Sequence, residues 1–233
     1  MLTLLWRTLP KSRRELMLSF LTQDQRQLFK KLVSGRLSYC SAYDDKQCIF
    51  VHVPKTAGLS VCKGLFDVPA VGHMPLAYYQ NVLGAEKFGR YYKFAFVRNP
   101  WDRLYSAYNY LRNGGVGRED RVWAEALAHY DDFDDFVCRW VDEDNIRLQL
   151  HFMPQCHFLK DAQGGINLDF IGRFESLERD YGRILAKVGG EPMPKVNVTR
   201  NSGRYLDAYS QRAKDIVARV YRRDIELLGY EFQ

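Results

Sequence analysis

The chain has 233 residues, 46% hydrophobic and 27% charged, enough for one folded α/β domain and too apolar for a disordered chain. Its net charge of +6 suits an anionic ligand without specifying nucleic acid, and no zinc-finger, basic-zipper or RNP-like pattern is present. The five cysteines, Cys40, Cys48, Cys62, Cys138 and Cys156, are odd in number and lack metal-knuckle spacing, which fits reduced thiols in a cytoplasmic protein.

No apolar run reaches the length of a membrane span. The opening residues are apolar, but Arg7 and Pro10 interrupt them, and Arg13 and Arg14 come after the apolar part, the wrong order for a secretory signal. Peripheral membrane contact through Leu4, Leu5 and Trp6 stays open. Residues 14–37 show amphipathic helical spacing, with Leu16, Leu28, Leu32 and Val33 on one side. Residues 1–46 are therefore read as flanking helices of the same domain, and 47–233 as its α/β body.

Ile49, Val51 and Val53 favour a strand, which Pro54 ends. Lys55, Thr56, Ala57, Gly58, Leu59 and Ser60 follow, then a helix from Val61 to Phe66. Small residues let the backbone turn tightly, the helix N-terminus adds partial positive charge, and Lys55 adds a full one. That combination suits a phosphate. The lysine precedes the glycine, the reverse of the ordinary nucleotide P-loop, so a kinase is not the favoured reading.

Residues 67–72 read as a short strand or an extended connection that delivers His73. A helix is expected over 76–83 and a strand over 91–97, ending at Arg98. Pro100 marks the start of a helix over 101–111, and Asn113, Gly114 and Gly115 its end. Residues 116–150 carry no strand signal and are expected to form a helical insertion. Its acidic run, Asp131 to Asp144, reads as a solvated face. Strands are expected at 157–159 and 168–173, helices over 174–188 and 210–228.

Strands alternating with helices predict a P-loop-like α/β fold: a central, largely parallel sheet flanked by helices. Ligands in such folds bind beyond the carboxyl ends of the strands, where Lys55, His73 and Arg98 would all lie. Arg98 offers a rigid fork to an oxyanion, and Ser106, about two helical turns later, could add a hydroxyl. Arg103 is expected in a salt bridge at the surface or the helix root. Two anion sites on neighbouring strand ends suit a ligand with two phosphate-like groups.

The stretch from Phe50 to Ser60 resembles the phosphosulfate loop of the carbohydrate sulfotransferase superfamily, and Phe96 to Tyr108 resembles its 3′-phosphate motif. Ile171 to Leu177 and Tyr221 to Phe232 are similar to the same family's tail, and His151 to Gln155 to branches acting on glycans. The resemblance implies the donor 3′-phosphoadenosine 5′-phosphosulfate. Lys55, Thr56, Ala57, Gly58, Leu59 and Ser60 would hold its phosphosulfate, and Arg98 and Ser106 its 3′-phosphate. Arg200 and Arg204, in a polar loop, would add donor contacts, and His151 and Gln155 would meet a carbohydrate acceptor. Leu59 stands where the family often carries threonine. The membrane anchor of Golgi-type relatives is missing, which favours a soluble bacterial-type enzyme.

The implied reaction moves a sulfuryl group to a hydroxyl, with Lys55 stabilising charge and no metal required. His73 is the expected general base; its rivals are His52, His151 and Glu125. A small-molecule or lipid sulfotransferase, a nucleotide kinase and a non-catalytic nucleotide-binding module remain alternatives. No heptad seam sets an oligomeric state.

Overall fold

The structure, a computed structural model, describes residues 10–20, 40–194 and 205–233. Arg200 and Arg204 lie outside the described residues, as do Leu28, Leu32 and Val33. The chain divides into two compact units, Met1–Ser41 and Ala42–Gln233. In the first, α1 spans Lys11–Ser19, where Leu16 is exposed rather than buried.

The second unit opens with α2 (Ala42–Lys46), β1 (Cys48–Val51), α3 (Gly58–Phe66), α4 (Leu76–Arg90), β2 (Tyr92–Val97) and α5 (Pro100–Arg112). It continues with α6 (Arg118–Leu127), α7 (Phe133–Trp140), α8 (Gln155–Leu159), β3 (Phe170–Arg173), α9 (Leu177–Val188), α10 (Gln211–Val220) and α11 (Arg222–Leu228). The described strands form one parallel sheet in the order β1-β2-β3. All four residues of β1 are buried, as are five of the six in β2, as expected of strands covered on both faces. Phe50 pairs with Phe94 in register, their rings stacked 5.2 Å apart. Gly172 of β3 leaves room for the Phe96 ring, which a Cβ there would meet at 2.5 Å.

Of the five stretches read as strands, three are strands among the described residues. Residues 67–72 find no ladder partner and run as an extended connection. Residues 157–159 belong to α8, not a strand. The cause is distant in sequence: the Asp224 carboxylate of α11 accepts the N–H groups of Gln155 (2.6 Å) and Cys156 (2.8 Å). It thereby satisfies the first donors of that helix. Helix α4 runs seven residues past its expected end by kinking at Gly84, whose φ of 74° is the left-handed conformation glycine tolerates. The final helix is broken at Tyr221, whose buried hydroxyl donates to the Phe152 carbonyl at 2.6 Å.

The insertion builds a second apolar cluster. Leu104, Leu111, Phe133, Phe136, Phe152 and Val217 join α5, α7 and α10 around it. Several of its carboxylates have local work: Asp132 caps α7 by accepting from the Asp135 N–H at 2.9 Å, and Asp134 accepts from the Ser210 N–H at 2.7 Å.

Candidate active site

The parallel order brings the carboxyl ends of β1 and β2 to one edge of the sheet. From β1 the chain enters a tight loop in which Lys55 (φ 69°) and Ala57 (φ 66°) are both left-handed. Such angles cost a non-glycine residue of order 1–3 kcal/mol and persist where the surroundings impose them. Here Thr56, fully buried, donates its hydroxyl to the Val53 carbonyl at 2.9 Å and closes the turn. Helix α3 starts directly afterwards at Gly58, so its first N–H groups face the loop side. Gly58 has no substitute: a Cβ would fall 1.8 Å from Nε2 of His52. Ser60 is buried and Leu59 is 47% exposed.

Lys55 makes no ion pair among the described residues. Its ammonium instead lies 4.1 Å from the centre of the Tyr110 ring. Burial, then the nearby charge of Arg98, lowers it to about 8, against an upward pull from Asp120.

Arg98 follows β2 and is itself buried. Its Nε and Nη2 donate to both oxygens of Asp102 at 2.8 Å, its Nη1 donates to the Lys55 carbonyl at 3.3 Å, and it sits 4.0 Å over the Phe174 ring. The bond to Lys55 ties the two cationic sites together. A pair this buried is costly to break, about 3–5 kcal/mol if one partner is removed. Its fork geometry fixes where the remaining guanidinium N–H groups point. Ser106 is half-buried on α5, one turn after Asp102 and one before Tyr110.

Gln155 does not face an acceptor. It is fully buried, accepts from the Arg98 N–H at 2.9 Å and donates to the Arg98 carbonyl at 2.8 Å. It clamps the strand end that carries Arg98. Arg103 is a second correction: it is fully buried, makes no salt bridge among the described residues, and donates to the carbonyls of His151 (3.1 Å) and Met153 (2.7 Å). Its desolvated head holds the His151 segment in place.

Three histidines line the site. His73 Nδ1 lies 2.9 Å from the His52 carbonyl. A carbonyl can only accept, so Nδ1 carries the proton and Nε2 is the basic nitrogen of the neutral ring. The His52 and His73 rings are 4.0 Å apart, His73 and His151 are 6.0 Å apart, and His151 is 4.9 Å from Tyr110. The contacts form a circuit from Lys55 through Tyr110, His151, His73 and His52 to Gly58, back on the starting loop. His52 is held well below the ordinary histidine range by burial and by His73, against the Val71 carbonyl. Burial also pushes His151 down to about 4, with Asp120 opposing and Lys55 adding to the effect. Both are neutral at pH 7.

Asp102 and Asp120 lie outside the sequence reading. Asp102 was findable as the carboxylate four residues after Arg98 on a helix. A separate open cavity of about 620 Å3 runs between Tyr105, Tyr108, Arg112, Asp132, Asp134 and Tyr209. Lys55, His73 and Arg98 do not line it. Among the described residues, no group of three or more His, Cys, Asp or Glu could hold a metal ion. No helix there is long and apolar enough to cross a membrane.

A pattern described as sulfotransferase family matches residues 76–231, two-thirds of the chain. The chain belongs to the sulfotransferase family. It is similar to carbohydrate sulfotransferase 14 of Homo sapiens, at 34% identity over 114 residues, 44% of this chain and 30% of that protein. The Danio rerio protein of the same name is 34% identical over 113 residues, 42% of this chain and 30% of its own. An uncharacterized protein of Archaeoglobus fulgidus is 29% identical over 117 residues, half of this chain and 82% of that one. The match thus spans under a third of the length of these carbohydrate sulfotransferases. No solved structure matches it. The family match includes Arg98, Ser106 and Gln155 but begins after Lys55 and His73, so those two rest on the geometry above.

Proposed function

We propose that this sulfotransferase carries a sulfuryl group from 3′-phosphoadenosine 5′-phosphosulfate to a hydroxyl of a carbohydrate. The observation that carries the reading is the Lys55–Arg98 pair. A cation with no carboxylate partner among the described residues, at a helix N-terminus, is bonded through its own carbonyl to a second cation at the next strand end. Two linked anion sites fit a donor with two separated phosphate-like groups. The carbohydrate acceptor is suggested by the names of the relatives.

In this reading the main-chain N–H groups from Thr56 to Leu59 and the Lys55 ammonium hold the phosphosulfate, and the remaining Arg98 N–H groups, with Ser106, hold the 3′-phosphate. Lys55 meets charge that grows on the departing phosphate oxygen. His73 Nε2 takes the proton of the acceptor hydroxyl as its oxygen attacks sulfur. His151, neutral and beside Tyr110, contributes an acceptor-facing ring.

Incubating the protein with the donor and a panel of desulfated glycans, and following sulfate incorporation, tests this directly. Sulfate appearing on a glycan is expected. Transfer only to phenols or sterols would overturn the carbohydrate acceptor, and no donor turnover with any of them would overturn the activity.

A further inference from the structure

Lys55 has to reach a small target with a flexible four-carbon stem. Such a side chain samples many rotamers when unrestrained. A carboxylate in contact would restrain it but would also neutralise it and compete with an incoming anion. The structure uses a ring instead. The face of Tyr110 lies 4.1 Å from the ammonium and attracts it through the ring quadrupole without cancelling its charge.

The ring is itself held. The Tyr110 hydroxyl donates to Asp120 Oδ2 at 2.9 Å. The same oxygen accepts the N–H groups of Val116 (3.1 Å) and Gly117 (3.0 Å). The connection between α5 and α6 is shaped around this carboxylate. Gly115 is left-handed (φ 51°), and a Cβ there would lie 2.4 Å from Cβ of Asp120. Burial acts to raise the Asp120 carboxyl, but the Gly117 and Val116 N–H groups and the Tyr110 hydroxyl outweigh it, so the carboxylate stays charged. Asp120 makes no salt bridge to Lys55 among the described residues, yet its charge supports the ammonium.

We infer that Tyr110 and Asp120 are positioning residues for Lys55: the ring fixes the ammonium at the loop, and the carboxylate aims the ring and sustains the charge. The inference rests on the sulfotransferase reading for its purpose, but the geometry can be tested without donor or acceptor. The groups facing Lys55 are Arg98 from the end of β2, Tyr110 from α5, Asp120 from α6, and the neutral His151 before α8.

Competitive acetylation of the whole protein with acetic anhydride across pH, read at the Lys55 peptide by mass spectrometry, gives the titration of that amine. The wild-type midpoint is expected near 8. Asp120→Asn keeps an oxygen for the Tyr110 hydroxyl but removes the charge that favours the ammonium, so the midpoint moves to lower pH. An unchanged midpoint overturns the role of Asp120. In sulfate transfer, Tyr110→Leu is expected to lower kcat about tenfold, within the range of a desolvated cation–π contact. Tyr110→Phe, which keeps the ring, is expected to lose no more than about threefold. Equal rates for the Phe and Leu variants overturn the role of the ring. If wild-type protein fails to bind 3′-phosphoadenosine 5′-phosphate, the sulfotransferase reading fails, while the acetylation result still decides whether Asp120 sustains Lys55.

Discussion

Replacing Lys55 by alanine is expected to lower kcat/KM for sulfate transfer by about 10²–10³, the usual cost of removing one preorganised electrostatic stabiliser. Lys55 is held at a left-handed φ of 69°, on the loop between a buried strand and a helix N-terminus, with no carboxylate to quench it among the described residues. Lysine and alanine both carry a Cβ, so the substitution leaves the backbone strain where it was. The fold should survive, which circular dichroism would verify, and the loss should fall on turnover. Steady-state transfer kinetics on the folded variant decide the matter, and near-native turnover would remove Lys55 from the chemistry.

His73→Ala should cost more of kcat than of donor affinity. Loss of a general base lowers rates typically 10²–10⁴-fold. Of the three histidines in the circuit, His52 is packed against Gly58 and stacked 5.4 Å from Phe50, and His151 is pushed down to about 4 and is a poor base. His73, with Nδ1 committed to the His52 carbonyl, presents its basic nitrogen on the other side of the ring. The variant is expected to bind 3′-phosphoadenosine 5′-phosphate as the wild type does and to transfer almost nothing. Equal transfer rates would move the base elsewhere.

What the sequence showed plainly was local. Strand β1 is written in Ile49 and Val51, the start of α5 in Pro100, and the cationic strand ends in Lys55 and Arg98, because propensity and chain punctuation act over a few residues. What it hid was set by partners far along the chain. Residues 155–159 are helical because Asp224 caps them, and Gln155 looks like an acceptor contact until its amide is seen bracketing the Arg98 peptide. Arg103 has the composition of a surface cation and the environment of a core residue, reached only because two carbonyls some fifty residues on receive it. Tyr110 acquires its place only when α6 swings Asp120 against it. Residues 67–72, read as a short strand or an extended connection, are the latter because they find no ladder partner among the described strands, which alternation alone cannot reveal.

The central claim is that Lys55 and Arg98 form one site for a doubly anionic nucleotide. Calorimetric titration with 3′-phosphoadenosine 5′-phosphate, beside ADP and ATP, tests it most directly. The account predicts clear preference for the 3′-phosphorylated nucleotide in the wild type, and loss of that preference in Arg98→Ala. Equal binding of all three nucleotides, or a preference untouched by removing Arg98, would contradict it.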